Sequence, residues 1–299
     1  MATDDLQLRD ASAVLDKAAE ENFPVAPFFL PRAWRDDLMA VYGVVRLIDD
    51  IGDGDLAPEA AHARYLGVDG AAAEDPLRLL DAVEADLRRV FDGTGAGHPL
   101  LRALRPTAER GGVTAEPFLA LIAANRQDQL VSRYETYDDL VAYCALSANP
   151  IGRLVLAITG TETPERIRRS DAVCTGLQIV EHLQDVAEDL RRDRIYLPAE
   201  DMKRFHVSES DLTRPTAGAS VRALVAFETE RARGLLNEGT PLVGSVHGRL
   251  KLLLAGFVAG GRAAVQAIVA ARYDVLPGPP KPTKPRMLRE AGAVLRGEG

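Results

Sequence analysis

Two stretches of the sequence carry pairs of aspartates four residues apart, the spacing that places two side chains on one face of a helix. In residues 41–53 (VYGVVRLIDDIGD) the pair is Asp49 and Asp53. Like charges at this spacing repel each other, so the pair does not stabilise the helix. The candidate site residues of this stretch are Tyr42, Arg46, Asp49, Asp50 and Asp53. Because apolar residues surround them, we expect a mostly buried helix whose acidic face lines a site. A solvated face with an Arg46–Asp50 ion pair is the alternative.

Residues 176–198 (GLQIVEHLQDVAEDLRRDRIYLP) repeat the arrangement with Asp185 and Asp189. The candidate site residues here are Gln178, Glu181, Asp185, Asp189, Arg191, Arg194 and Tyr196. The alternative is a surface helix whose basic last turn complements the helix dipole. His182 belongs to the same helix, and we interpret it either as a packing residue or as a group whose pKa its acidic neighbours raise. Two mostly apolar helices with the same acidic spacing and adjacent arginines favour one common site.

These residue types predict a particular chemistry. Carboxylate oxygens are hard ligands that suit Mg²⁺, an ion that keeps several waters and is shared with substrate phosphates. Four aspartates repel a diphosphate, whereas two or three Mg²⁺ ions between them would let it bind. Arginines would then neutralise the remaining phosphate oxygens. The two stretches therefore predict a site that removes diphosphate from an organic group, with metal ions stabilising the leaving group.

Helices are expected to position these side chains. Apolar residues recur every three or four positions along most of the chain, as in residues 76–91 and 220–236, whereas the alternation typical of strands is scarce. We predict an all-α protein that forms a single domain over residues 1–299. Residues 208–211 (SESD) resemble a capping box that opens a helix. From residue 277 the sequence PGPPKPTKP predicts an extended tail outside the core, either solvated or touching an anionic membrane surface.

Composition excludes several function classes. The 299 residues include 36 Lys and Arg against 44 Asp and Glu, a net charge of −8, which argues against a nucleic-acid partner. The two cysteines, Cys144 and Cys174, are too few for a disulfide framework and favour a reducing compartment. The start of the sequence lacks the features of a signal peptide, and the longest apolar run, residues 252–261, is too short to cross a bilayer. We therefore expect a cytoplasmic protein that is at most peripheral to a membrane.

The two acidic stretches resemble the two aspartate-rich motifs of the squalene/phytoene synthase family, the head-to-head prenyl transferases. Further blocks carry the same resemblance, namely ENFPVAPFFLP (21–31), PFLALIAANRQDQ (117–129), YCALSANPIGRLVL (143–156) and FVAGGRAAVQAI (257–268). It covers residues 20–290, and within the family the hopanoid-pathway branch of hydroxysqualene synthases is the most similar. The resemblance implies an all-α, terpenoid-synthase-like helical bundle with a central apolar cavity.

Carried over to this sequence, the resemblance also implies residue roles. Asp49, Asp53, Asp185 and Asp189 would bind two or three Mg²⁺ ions, and Arg46, Arg191 and Arg194 would bind the diphosphate of a prenyl substrate. Tyr42, Tyr143 and Gln178 would line the reaction chamber near the cation. Two positions depart from the family pattern. Glu181 replaces a common Asn, which adds a charge and a further candidate metal ligand, and Arg262-Ala263-Ala264 replaces an early Tyr of the last long helix.

The reaction that this implies is Mg²⁺-dependent ionisation of presqualene diphosphate, followed by rearrangement and capture of water to give hydroxysqualene. A partner synthase of the pathway would supply presqualene diphosphate from two farnesyl diphosphates. The enzyme alternative is that condensation itself, giving presqualene or prephytoene diphosphate. The non-enzyme alternative is an inactive helical assembly factor. Because no nicotinamide-binding motif is visible, we expect no requirement for NADPH.

Overall fold

A computed structural model of the chain describes Val14, Leu15, Lys17 and residues 25–56 and 61–297. Residues 21–24, which begin the N-terminal block of the resemblance, lie outside the described residues. Within the described part the chain is helical, and its β structure is limited to one parallel bridge between Arg133 and Ile195. The prediction of an all-α protein is confirmed.

Fifteen α-helices and one 3₁₀ helix (Gly70–Glu74) form the part of the chain that the structure describes. In chain order the α-helices are α1 (Arg32–Gly52), α2 (His62–Tyr65), α3 (Pro76–Phe91), α4 (Pro99–Glu109), α5 (Glu116–Asp128), α6 (Tyr137–Ser147), α7 (Asn149–Ile158), α8 (Pro164–Gln184), α9 (Val186–Arg191), α10 (Ala199–Arg204), α11 (Glu209–Leu212), α12 (Ala219–Gly239), α13 (Pro241–Gly244), α14 (Gly248–Ala270) and α15 (Lys284–Arg296).

The chain divides into two compact units. The first comprises the described residues of Met1–Leu130 together with Arg153–Glu162, and the second comprises Val131–Gly152 and the described residues of Thr163–Gly299. In the first unit, α1 packs against α3, α4 and α5. The shared core buries the apolar side of α1, including Val44, Leu47 and Ile48, none of which is exposed. This packing sets the orientation of the first acidic motif.

The second unit is built around α8, which packs extensively against α12. Gly176 and Gly239 allow close approach, because a Cβ on Gly239 would overlap Val173 and one on Gly176 would press on Leu236. Helix α14 packs against both α8 and α12. The second acidic motif occupies the C-terminal end of α8 and the short helix α9.

Local signals in the sequence locate several helix starts. Ser208 and Asp211 form a reciprocal capping box at the start of α11, as predicted. Asp75 caps α3 through a hydrogen bond from Leu77 N, and Pro76 occupies the first helical position, where its missing N–H costs nothing. The boundaries of α3 are those expected from the apolar periodicity of residues 76–91.

The expectation of an extended tail from residue 277 is wrong for most of that segment. Helix α15 packs against α14, Val294 is buried, and Arg286 Nη1 donates to Gln266 O at 3.0 Å. Pro285 lies in the first turn, where proline is compatible with a helix, and the apolar residues that follow form a stripe at helical spacing. The composition of the segment obscured this stripe; residues 277–283 precede the helix and are not helical.

Two helical stretches, Tyr137–Ile158 and Gly248–Ala270, are long and apolar enough to cross a bilayer by length and composition alone. The first is interrupted between α6 and α7, and half of its most apolar window is buried; two thirds of that window is buried in the second. A buried core helix has the same length and composition. Their burial therefore agrees with a role as core helices.

Candidate active site

The first acidic motif ends helix α1. Asp49 is half-buried in the last turn, and Asp53 is the exposed residue that caps the helix, its N–H donating to Asp49 O at 2.8 Å. The two carboxylates thus lie on successive turns, as their spacing predicts. Arg46 and Tyr42 precede them by one and two turns on the same helix, both half-buried.

The environment of Asp49 disfavours its charge. The pKa of Asp49 is raised to about 7. Burial is the largest cause and the nearby Asp53 carboxylate adds to it, whereas a hydrogen bond from Asn125 opposes the rise. A cation placed between the two carboxylates would reverse both unfavourable effects. This electrostatic situation is the one expected of a cation-binding pair.

Asn125 and Gln129 of the neighbouring α5 region hold this end of α1 in place. Asn125 Nδ2 donates to Asp49 Oδ1 at 3.2 Å, and Gln129 Nε2 donates to Gly52 O at 2.7 Å. We did not single out either residue from the sequence, although both stand in the block 117–129. Two amide side chains four residues apart on a mostly apolar helix were the available signal.

Asp50 is engaged inside the protein. It is 3% exposed, its Oδ2 accepts from Lys17 Nζ at 2.7 Å, and its Oδ1 lies 2.9 Å from Arg46 Nε. We predicted from the sequence that Asp50 contacts the substrate. In the structure its carboxylate pairs with Lys17 and Arg46 inside the protein. The Arg46–Asp50 ion pair is present, as the alternative interpretation of this stretch expected, and it orients Arg46 beside the motif.

The second acidic motif spans a break in the helix. Helix α8 ends at Gln184, and α9 starts at Val186, with Asp185 between them in a non-helical conformation. Backbone bonds still run from Asp185 N to Glu181 O (3.0 Å) and from Asp189 N to Asp185 O (2.8 Å). The four-residue spacing of the carboxylates therefore survives the break, which periodicity alone does not reveal.

Negative charge accumulates at this break. The pKa of Asp189 is raised to about 7. Burial is the largest cause, the carboxylates of Asp185, Glu181 and Glu188 add to it, and Arg194 opposes it. Burial and Glu188 also raise the pKa of Asp185. Glu181 and Glu188 are exposed. Glu188 is a member of the cluster that we did not select from the sequence.

The residues after α9 leave the helix and are held by Arg133. Its Nη2 donates to Asp193 Oδ1 at 2.8 Å, its Nε donates to Glu209 Oε1 at 2.8 Å, and Ile195 N donates to Ser132 O at 2.9 Å. Asp193 adopts a left-handed conformation (φ 58°), so a turn separates α9 from Arg194. Arg191 is exposed at the end of α9, and Arg194 is half-buried.

Four buried rings of the second unit form one aromatic cluster. They come from two helices and two loops and consist of Tyr134, Tyr143, His182 and Tyr196. His182 stacks on Tyr196 with a 3.8 Å separation of ring centroids and a 12° interplanar angle, and Tyr143 lies 5.6 Å from Tyr196. Burial lowers the pKa of His182 to about 3, so its packing interpretation holds and the predicted rise is wrong. Gln178 lies beside His182, one turn earlier on α8.

The aromatic cluster borders the acidic motif. His182 and Tyr196 line a small cavity together with Asp189 and Arg194. Apolar side chains close the rest of it, namely Val186, Ile195, Leu197 and Leu212. Asp189, Arg194 and two aromatic side chains thus line one cavity within the second unit.

The donor set suits a hard cation. In the residues described, no three His, Cys, Asp or Glu side chains are arranged to hold a metal by themselves. Mg²⁺ needs only one or two carboxylates when water and substrate phosphate complete its shell. The Asp49–Asp53 and Asp185–Asp189 pairs fit that requirement, and the pKa values of Asp49, Asp185 and Asp189 are raised. Mg²⁺ binding remains a prediction, as does a site that uses both motifs.

Comparison with known proteins agrees with this geometry. A family model described as squalene/phytoene synthase matches residues 16–287. The chain is 32% identical over 231 residues to the hydroxysqualene synthase of Zymomonas mobilis, covering 76% of this chain and 71% of that protein. It is 31% identical to the phytoene synthase of Arthrospira platensis, covering 71% and 68%. The crystal structure of squalene synthase HpnC from Alicyclobacillus acidocaldarius matches with a TM-score of 0.76 and 38% identity, covering 89% of this chain and 95% of that one. The chain therefore belongs to the squalene/phytoene synthase family.

Proposed function

We propose that the protein is a hydroxysqualene synthase, an enzyme that ionises presqualene diphosphate in a Mg²⁺-dependent reaction and captures the rearranged cation with water. The observation that carries the proposal is the cavity that Asp189 and Arg194 line together with the aromatic side chains of His182 and Tyr196. Separation of a diphosphate from a carbocation needs a positive site for the leaving group and an apolar, electron-rich wall for the cation. Relatives named hydroxysqualene synthase support the choice of reaction.

The diphosphate would be bound by the acidic motifs and their arginines. Asp49, Asp53, Asp185 and Asp189 would hold Mg²⁺, with Glu181 as a further ligand, and the bound ions would stabilise charge on the departing diphosphate. Arg46, Arg191 and Arg194 would donate to its outer oxygens, as guanidinium groups do to phosphates. The ion pair with Asp50 would keep Arg46 in place for this contact.

The cation would be handled by the aromatic cluster. Ring faces attract a cation through their quadrupole, and the buried Tyr143 and Tyr196 would supply them. Their apolar surroundings would keep bulk water away while the cyclopropylcarbinyl cation rearranges. One water then forms a C–O bond to the cationic carbon through a lone pair, and its surplus proton passes to the departed diphosphate. No reductant enters this balance, so the proposal includes no NADPH.

The test is incubation of the purified protein with Mg²⁺ and, separately, presqualene diphosphate or farnesyl diphosphate. Diphosphate release and product mass are measured with and without NADPH. We expect release from presqualene diphosphate, an alcohol product and no effect of NADPH. A product that forms only in the presence of NADPH would refute the proposal. Loss of release in Asp49→Asn and Asp185→Asn, with unchanged circular dichroism, would assign it to the two motifs.

A second enzyme function is head-to-head condensation of two prenyl diphosphates. The phytoene synthase of Arthrospira platensis, at 31% identity, favours keeping it. Both reactions begin by ionising an allylic or cyclopropylcarbinyl diphosphate, so one set of metal and diphosphate ligands would serve either. Turnover of farnesyl diphosphate alone to a C30 diphosphate would support condensation. Absence of any Mg²⁺-dependent diphosphate release from either substrate would favour an inactive assembly factor.

A further inference from the structure

Gln178 contacts His182 of the aromatic cluster, and the proposed reaction gives this contact no role. Gln178 Nε2 lies 3.3 Å from His182 Nε2, one turn along α8. With the amide nitrogen at this position, its NH₂ group is the donor and His182 Nε2 is the acceptor. The ring proton of His182 is then on Nδ1.

The His182 ring is itself held rigidly. It is 9% exposed and stacks on Tyr196 at 3.8 Å between centroids, and Tyr143 lies 6.2 Å away. A buried ring that is stacked on one tyrosine and flanked by another cannot turn without opening the cluster. The lone pair of Nε2 is thus kept at one position relative to Gln178.

We propose that His182 is a positioning residue that orients the Gln178 carboxamide, holding its nitrogen on the imidazole so that its carbonyl oxygen faces the reacting cation and its water. This inference rests on the proposed function. The terminal torsion of a glutamine is broad and nearly two-fold, so the amide needs an external partner to choose between its two orientations. The only partner of Gln178 in the described structure is the acceptor atom of His182.

The orientation matters for the capture of water. A water that donates to a carbonyl oxygen keeps its lone pairs for the cation. A water that accepts from an amide N–H has given up a lone pair and is a poorer nucleophile, and the N–H dipole also repels the cation. Loss of the His182 acceptor frees the amide to present its NH₂ group, which shifts the outcome from the alcohol towards products of proton loss.

The experiment compares product ratios, which do not depend on how much active protein survives a substitution. His182→Phe keeps a stacking ring but removes the acceptor, His182→Gln keeps an acceptor oxygen near the position of Nε2, and Gln178→Ala removes the amide. With presqualene diphosphate we expect His182→Phe and Gln178→Ala each to lower the alcohol-to-alkene ratio by about 5-fold, the effect of one hydrogen bond. The double variant should shift it no further, and His182→Gln should restore much of it. The exposed His247→Phe is the control and should leave the ratio unchanged.

An unchanged ratio in His182→Phe would overturn the proposal, as would multiplying effects in the double variant, because His182 would then act independently of Gln178. A second readout needs no substrate. The ring ¹⁵N signals of His182, assigned by their absence in His182→Phe, should show a protonated Nδ1 and a hydrogen-bonded, unprotonated Nε2 that moves in Gln178→Ala. The opposite tautomer, or an Nε2 signal that ignores Gln178→Ala, would refute the positioning role even if the enzyme proves to be a condensing synthase.

Discussion

Asn125 donates a hydrogen bond to Asp49 beside Gly52, a position in α1 where a side chain would overlap Asn125. Asn125 Nδ2 lies 3.2 Å from Asp49 Oδ1, and a Cβ on Gly52 would overlap the Asn125 carboxamide. The glycine is buried near the end of the helix, where glycine otherwise costs stability. Its presence is therefore explained by the approach of Asn125 to the first acidic motif.

We expect Gly52→Ala to displace Asn125 and to lower kcat/KM for diphosphate release by about 10-fold, because a hydrogen bond to a charged group is lost. Overpacking should also lower the free energy of unfolding by about 1–3 kcal/mol. Urea unfolding and diphosphate release measure the two effects. Gly234→Ala is the control, since this exposed glycine inside α12 has open space around its Cα and alanine there should stabilise by about 0.5–1 kcal/mol. Equal behaviour of the two variants would contradict the steric explanation.

The ionised carboxylate of Asp189 should lower the stability of the metal-free protein. Its pKa is raised to about 7 by burial and by three neighbouring carboxylates, so the ionised form is disfavoured in the metal-free protein. We expect Asp189→Asn to raise Tm by a few degrees in Mg²⁺-free buffer at pH 8 and to abolish diphosphate release. Mg²⁺ should raise the Tm of the unsubstituted protein more than that of the variant. Differential scanning fluorimetry with and without Mg²⁺ measures both; a lower Tm of the metal-free variant would contradict the prediction.

Arg133 should control the segment that carries Arg194. Arg133→Ala removes its bonds to Asp193 and Glu209 and leaves the turn before Arg194 without its support. We expect KM for the diphosphate substrate to rise about 10-fold, equivalent to about 1.4 kcal/mol, with a smaller change in kcat. Steady-state kinetics measure the separation. Arg105→Ala, which breaks an exposed ion pair with Glu109, should change neither constant. A pure loss of kcat would point to another role for Arg133.

Glu228 should make the stability of the protein depend on pH. It is 1% exposed and shares Arg231 with the buried Asp201, while the same guanidinium lies 4.0 Å from the ring of Tyr137. Burial, together with Asp201 and against the effect of Arg231, raises the pKa of Glu228 from its ordinary 4.5 to about 7. The folded protein therefore binds this proton more tightly than the unfolded chain, and stability is lost as pH rises from about 4.5 to about 7.

We expect Glu228→Gln to remove this dependence, because glutamine resembles the protonated acid and still offers Arg231 an oxygen. Its Tm should exceed that of the unsubstituted protein at pH 8 and match it near pH 5. Thermal unfolding across pH 5–8 measures the difference. An equal gain at both values would show that ionisation of Glu228 is not its cause.

Residues close together in the sequence were predictable because their geometry is local. The spacing of Asp49 and Asp53, the Arg46–Asp50 pair, the capping box at Ser208 and the boundaries of α3 follow from helix geometry and hydrogen-bonding chemistry. The family resemblance also rested on such short motifs. The tail was misjudged because prolines and lysines outweighed its weak apolar stripe, which forms a helix only where α14 covers it.

The tertiary structure decided which partners these local elements meet. Asn125 and Asp49 are 76 residues apart, and Arg133 and Asp193 are 60 apart, so no local pattern joins them. Lys17 pairs with Asp50 inside the protein, and burial beside Tyr196 lowers the pKa of His182. Spacing along a helix determines which side chains share a face, whereas desolvation and the approach of distant groups determine their charge, their orientation and what remains available for substrate.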